Sequence, residues 1–153
     1  MRSRVLLAVA ALLSVTAGPL CAAGVDERSA DLQSIEALEV RAGAAQPREQ
    51  CFLYAEVVHQ MTELSMKEYA SGDVEHANGM LKRIQQLAQK IHLAMAGNDK
   101  RLKNAEILLR HTAFRLNEIL HGSSYEDRPL VEETLAQINQ AQSEAMMQVF
   151  RNK

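Results

Sequence analysis

The 153-residue chain sets 17 basic against 19 acidic residues, and its hydrophobic share of 47% is that of an ordinary globular domain with one core. Nucleic-acid binding would call for a basic domain with clustered Lys and Arg, and no such cluster is present. Strict two-residue alternation is also missing, whereas apolar residues recur at three- and four-residue steps almost throughout, so the expected class is all-α.

At the N-terminus Arg2 and Arg4 precede an apolar run from Val5 to Ala17, and Gly18-Pro19 breaks any helix behind it. That is the layout of a secretory signal peptide. A helix that crosses a bilayer needs about 20 apolar residues, and this run has 13. The segment is therefore read as cleaved rather than as an anchor. Cys21 and Ala23 place small residues at the minus-three and minus-one positions for cleavage after Ala23. A lipid-anchored Cys21 would want small residues just before it, where Pro19 and Leu20 stand. Loss of residues 1–23 removes Arg2 and Arg4 and leaves 15 basic against 19 acidic residues, a net charge of −4. The expected location is periplasmic or secreted. Cys51 is then the remaining cysteine, so no disulfide within the chain can form, and the thiol is either buried or paired between chains.

The expected organisation is a signal peptide at 1–23, a short helix and linker at 24–48, and a helical bundle at 49–153. Leu32, Ile35 and Leu38 mark a helix from Ser29 to Arg41, and the Ala-rich stretch to Arg48, with Gly43 and Pro47, reads as a linker. The first long helix, Pro47 to Ala70, carries Tyr54, Val57, Met61 and Leu64 on one stripe and stops at Ser71-Gly72-Asp73. The second, Val74 to Ala96, has the clearest seam: Ala77, Leu81, Ile84, Ala88, Ile91 and Met95. Gly97-Asn98-Asp99 ends it. The third presents Leu102, Ala105, Leu109, Thr112, Leu116 and Leu120 before His121-Gly122 closes it. The fourth runs from Asp127, the expected N-cap, to Phe150, with Pro129 in its first turn and Val131, Leu135, Ile138, Ala145 and Val149 inward. Short connections make successive helices antiparallel, so the expected fold is an up-down-up-down bundle with the N-terminal helix packed outside. The turn at Ala70-Ser71-Gly72-Asp73 has the look of a tetratricopeptide hairpin, but no second copy follows at a spacing near 34 residues.

The stretches Cys51-Phe52-Leu53-Tyr54-Ala55-Glu56 and Arg101-Leu102-Lys103-Asn104-Ala105-Glu106 resemble segments of small exported bacterial helical proteins of uncharacterised activity. The resemblance spans about residues 50–150 and implies a helical fold and export. It contains no motif tied to a chemistry, and so implies no site residue.

One constellation has the form of a metal centre. Glu56-x-x-His59 and Glu118-x-x-His121 lie on alternate helices, and paired Glu-x-x-His motifs build di-iron bundles. Such a centre needs a further glutamate from each remaining helix, and the second helix has only Glu75, at its start. At about 100° per residue both pairs turn away from their core stripes, and Glu118 stands much further along its helix than Glu56 does. A metal-binding protein using Glu56, His59, Glu118 and His121 is kept only as the alternative reading. No Cys-x-x-Cys-His is present for haem attachment, His76 and His92 sit at the edges of the second helix's seam, and no nucleophile motif surrounds Cys51, Ser65 or Ser143. No cofactor and no catalytic residue are expected.

A second apolar line runs along the first long helix through Phe52, Ala55, His59, Thr62, Met66 and Tyr69, and along the third through Ile107, His111, Phe114, Glu118 and His121. A helix with two such faces is buried on both sides or binds something. The occupant is expected to be the N-terminal helix, a second copy, or another envelope protein. Phe52, His59, Met66, Tyr69, Ile107 and Phe114 are thus the expected contact residues of a non-enzymatic interaction or structural module. Direct N-terminal sequencing of protein recovered from the cell envelope is expected to read from Gly24; a first residue of Met1, or a lipid on Cys21, would refute the signal assignment.

Overall fold

The computed structural model describes residues 22–96 and 100–151, which form five helices: α1 Ala22–Ala44, α2 Pro47–Ser71, α3 Val74–Met95, α4 Leu102–Gly122 and α5 Arg128–Arg151. No strand occurs among the described residues. The expected signal segment lies outside the described residues up to Cys21, and the expected cleavage point after Ala23 falls in the first turn of α1. Among the described residues no helix is long and apolar enough to cross a membrane.

Local chemistry sets the helix ends. Gln46 is extended because Pro47 follows it, and Pro47 opens α2 where a missing N–H has no consequence. At the other end Gly72 adopts φ 85°, which lets its N–H reach the Tyr69 carbonyl at 3.2 Å and the Asp73 N–H reach that of Glu68 at 2.9 Å. Asp73 then accepts the His76 N–H and starts α3 at once. Asp127 stands at the expected N-cap position, immediately before Arg128, but its carboxylate bonds outside the helix. Its carbonyl accepts from Leu130 and Val131, while its carboxylate takes the Ser124 hydroxyl at 2.6 Å and the Asn78 amide at 2.7 Å. It ties the head of α5 to α3.

Contacts across the helices give their directions. Tyr69 meets Asn78 and Lys90 lies over the Tyr54 ring, so α2 and α3 form an antiparallel hairpin. Glu106 on α4 accepts from Gln142 on α5, which makes a second hairpin. The hairpins lie side by side with α2 parallel to α4 and α3 parallel to α5. Pairs joining α2 to α4, His59 with Thr112 and Glu63 with Arg115, are 53 and 52 residues apart. Pairs joining α3 to α5, Asn78 with Asp127 and Gln85 with Thr134, are both 49 apart. The packed pairs are therefore α1 with α2, α2 with α3, α4 with α5, α2 with α4, and α3 with α5. Consecutive helices α3 and α4 are not among them. A second hairpin does follow the first, at an offset of about 50 residues rather than 34, so the arrangement is a short two-layer stack.

Helix α2 lies at the centre, with α1, α3 and α4 around it. Its buried Thr62 and Ser65 hydroxyls donate to the carbonyls of Val58 and Met61, which allows them inside. Helix α1, longer than the expected Ser29–Arg41, buries Ile35 and Ala42 and is held at its other end by Arg28. That guanidinium pairs with Glu68, whose carboxylate is buried, and with Asp73 at 3.2 Å. Isolation of one partner would leave a charge in the interior, so the pair fixes where α1 ends up.

The seam residues Leu81, Ile84, Leu109, Leu116 and Ile138 are all fully buried. Truncation of Ile84 or Leu116 to Ala is expected to cost about 2–5 kcal/mol, from lost transfer energy and the cavity left behind. Urea unfolding curves check this, and midpoints equal to the parent's would overturn the seam.

Candidate functional site

Of the expected contact residues of α2, Phe52, His59 and Met66 lie toward α4, His59 also borders a cavity lined by Asp31, Ser34 and Ile35 of α1, and Tyr69 reaches α3. Phe52 is only 8% exposed, with the Arg101 guanidinium 3.5 Å from its ring centre at the head of α4. His59 is half-buried, and its Nδ1 lies 3.3 Å from the Thr112 hydroxyl. That hydroxyl donates to the Leu108 carbonyl, so its oxygen accepts, and neutral His59 carries its proton on Nδ1. Met66 lines a cavity of 400 Å³ together with Ile119. Tyr69 is half-buried and donates to Asn78; burial, helped by the Asp127 charge, pushes its phenol up to about 12. The seven-residue repeat through Phe52, His59 and Met66 is the imprint of α4. On α4 itself Ile107 is half-buried, while Phe114 is 62% exposed.

The four residues of the metal reading do not converge. His59 faces α4, contrary to the expectation that it points outward, because α4 occupies that side of α2. Glu118 and His121 are exposed, and they are engaged locally with Arg115 at 2.8 Å and with the Asn117 carbonyl at 2.6 Å. His59 is level with Thr112, so Glu118 stands six residues further on, about 9 Å at 1.5 Å per residue. Among the described residues no three His, Cys, Asp or Glu side chains are grouped to hold a metal ion. What the region contains is an ionic clamp. Arg115 reaches both Glu63 oxygens, at 2.6 and 2.9 Å, and hydrogen bonding to it holds the Glu63 carboxyl below its usual range.

The other seam between the hairpins, where α3 lies parallel to α5, is not marked by any motif. Ala88 and Ala141 are buried there, and their small side chains form part of the wall of a 470 Å³ cavity, which also has Gln89, Gln137 and Gln140 in its lining. Leu93, at its edge, is 73% exposed. His92 and Glu144 pair at 2.5 Å across the groove and border a second cavity of 450 Å³ that extends to Met147 and Arg151. Burial pushes the Glu144 carboxyl up, but hydrogen bonds from His92 and Gln140 outweigh it and leave the pKa below the usual range. The Gln137 Oε1 is buried with no hydrogen-bond partner among the described residues, a state that native side chains rarely keep without a reason. Two signals for this groove exist in the sequence: alanines where the seam could hold Leu, and Leu93 standing on the polar face with Gln86 and Gln89.

His59 supplies a pH test of the α2–α4 seam. Burial lowers its pKa, opposed by Glu63 and assisted by His111 and Arg115. The folded state thus prefers the neutral ring. Well above pH 6.5 the group is neutral in both states and contributes nothing; as pH falls through 6.5 the unfolded chain takes up the proton first and stability falls. His59→Gln is expected to show a smaller drop in Tm between pH 7 and 5 than the parent. Equal drops would contradict a buried, neutral His59.

No protein-family model matches the chain, and no curated protein or solved structure does either, so what it does must be argued from its own residues.

Proposed function

We propose that the chain is an exported, non-enzymatic interaction module that takes up a protein partner in the groove between α3 and α5. Residues 1–23 direct it out of the cytoplasm and are removed, and 49–153 form the binding domain, with the alternating up-down helices as its frame. The observation that carries this reading is the groove itself, where exposed apolar Leu93 and Met147 stand next to a buried, unpartnered amide oxygen on Gln137. Apolar edges favour burial against a partner, and an unpaired acceptor favours a donor that the chain does not itself supply. The outer face of α4, around Phe114 and Ile107, is the other place where a partner or a second copy could settle.

The test is capture from an envelope extract by the mature chain, compared with a Leu93→Asp/Gln137→Ala double variant and with Phe114→Ser. At least one protein is expected to be retained in stoichiometric amount by the parent and by Phe114→Ser and lost from the groove variant, with Tm unchanged in all three. Loss from Phe114→Ser alone would move the contact to α4. Retention that ignores both substitutions would refute the reading.

A further inference from the structure

Resting on that reading, we infer that the occupant of the α3–α5 groove is an extended, uncharged polypeptide segment with one apolar side chain seated over Ala88 and Ala141, rather than a folded helix. A helix arrives with its backbone hydrogen bonds made, so an apolar trough is all it requires. Here the cavity is lined by three carboxamides, Gln89, Gln137 and Gln140. A carboxamide carries both a donor and an acceptor, which is what the unpaired N–H and C=O groups of an extended segment demand, although one Gln140 N–H already goes to Glu144 at 3.0 Å.

Gln137 is the most specific of the three. Its Oε1 gains nothing from its present buried position, so rotation of the side chain toward the groove sacrifices no acceptor bond and lets it take a backbone N–H. The floor beneath is apolar and leaves room above it because Ala88 and Ala141, at 5% and 3% exposure, fill so little of the space between the helices. A side chain of Leu or Val size extends that packing, and Leu93 flanks it.

Charge and length narrow the occupant further. The two ionisable groups facing each other across the groove, His92 and Glu144, already pair with one another, so the middle of the segment carries no charge of its own. From Gln137 to Arg151 along α5 is about 21 Å at 1.5 Å per residue. At about 3.3 Å per residue, an extended segment of roughly six residues covers that distance.

The experiment is selection of a displayed library of random eight-residue peptides on the mature chain, followed by fluorescence anisotropy of the recovered peptides. The inference expects uncharged binders with a central Leu, Ile or Val. Their affinity should fall tenfold or more on N-methylation of one central peptide N–H, and tenfold or more with Gln137→Leu. That substitution should leave the melt unchanged or raise it, since it removes an unpaired buried acceptor. Tyr125→Ser, on the loop before α5, should bind as the parent does. Binders that are helical in the complex by circular dichroism, or that tolerate every N-methylation, or that ignore Gln137→Leu, would overturn the extended-segment inference, and so would a library that yields no binder. Groove-dependent capture of an envelope protein in the same preparation would then leave the interaction reading standing with a folded partner; loss of both would remove it as well.

Discussion

The seating of α4 on the Phe52–His59–Met66 side of α2 determines the rest of the arrangement. Helix α2 already has α1 and α3 against it, and α4 closes the remaining apolar side. Three interactions set the register of that closure: Arg101 over the Phe52 ring, His59 against the Thr112 hydroxyl, and Arg115 clamped on both oxygens of Glu63. The apolar side chains buried around them provide most of the free energy. The half-buried ion pair adds little energy but selects one register among those that apolar packing alone would accept.

Once α4 is placed, α5 has no freedom. It must return antiparallel along α4, and the parallel alignment of the two hairpins brings it beside α3. The α3–α5 seam is bonded at three heights, by Asn78 with Asp127, Gln85 with Thr134, and His92 with Glu144. Near these contacts Ala88 and Ala141 both line the groove, where bulkier residues would have filled more of the seam. The groove is thus a consequence of rigid helices held at fixed separation with too little side chain between them. A site built on helices in this way needs little reorganisation to receive a partner.

Much of the helical layer was legible in the residues. The α3 seam from Ala77 to Met95 is buried as its spacing implied, because one helix facing one core leaves an unambiguous stripe. The Gly72 stop was legible too, since few residues other than glycine accept that backbone conformation. The neighbour of α2's second stripe was not. Spacing shows that a face is buried, whereas the identity of the covering helix depends on pairings some 50 residues apart that leave no local mark. For the same reason the second hairpin could not be recognised as a repeat of the first: stacking demands complementary surfaces, not similar letters. His59 looked outward only because the core was imagined on a single side. The groove was hidden behind residues that individually mean little, an alanine on each helix and a glutamine whose missing partner is a property of three dimensions.

The central claim is the parallel stacking of the two hairpins, which places α3 beside α5. Proximity of Gln85 to Thr134 tests it most directly, since their side chains lie 3.0 Å apart across the α3–α5 seam and their polar atoms, not apolar packing, make the contact. With both replaced by Cys in a Cys51→Ser background, a short bifunctional thiol reagent should join them within one chain, giving a monomer of increased electrophoretic mobility under denaturing conditions. A sequential ring, with α3 beside α4 and α5 beside α2, sets those positions across the diagonal. Failure to cross-link in a variant that melts like its parent would contradict the stacked arrangement and the groove with it.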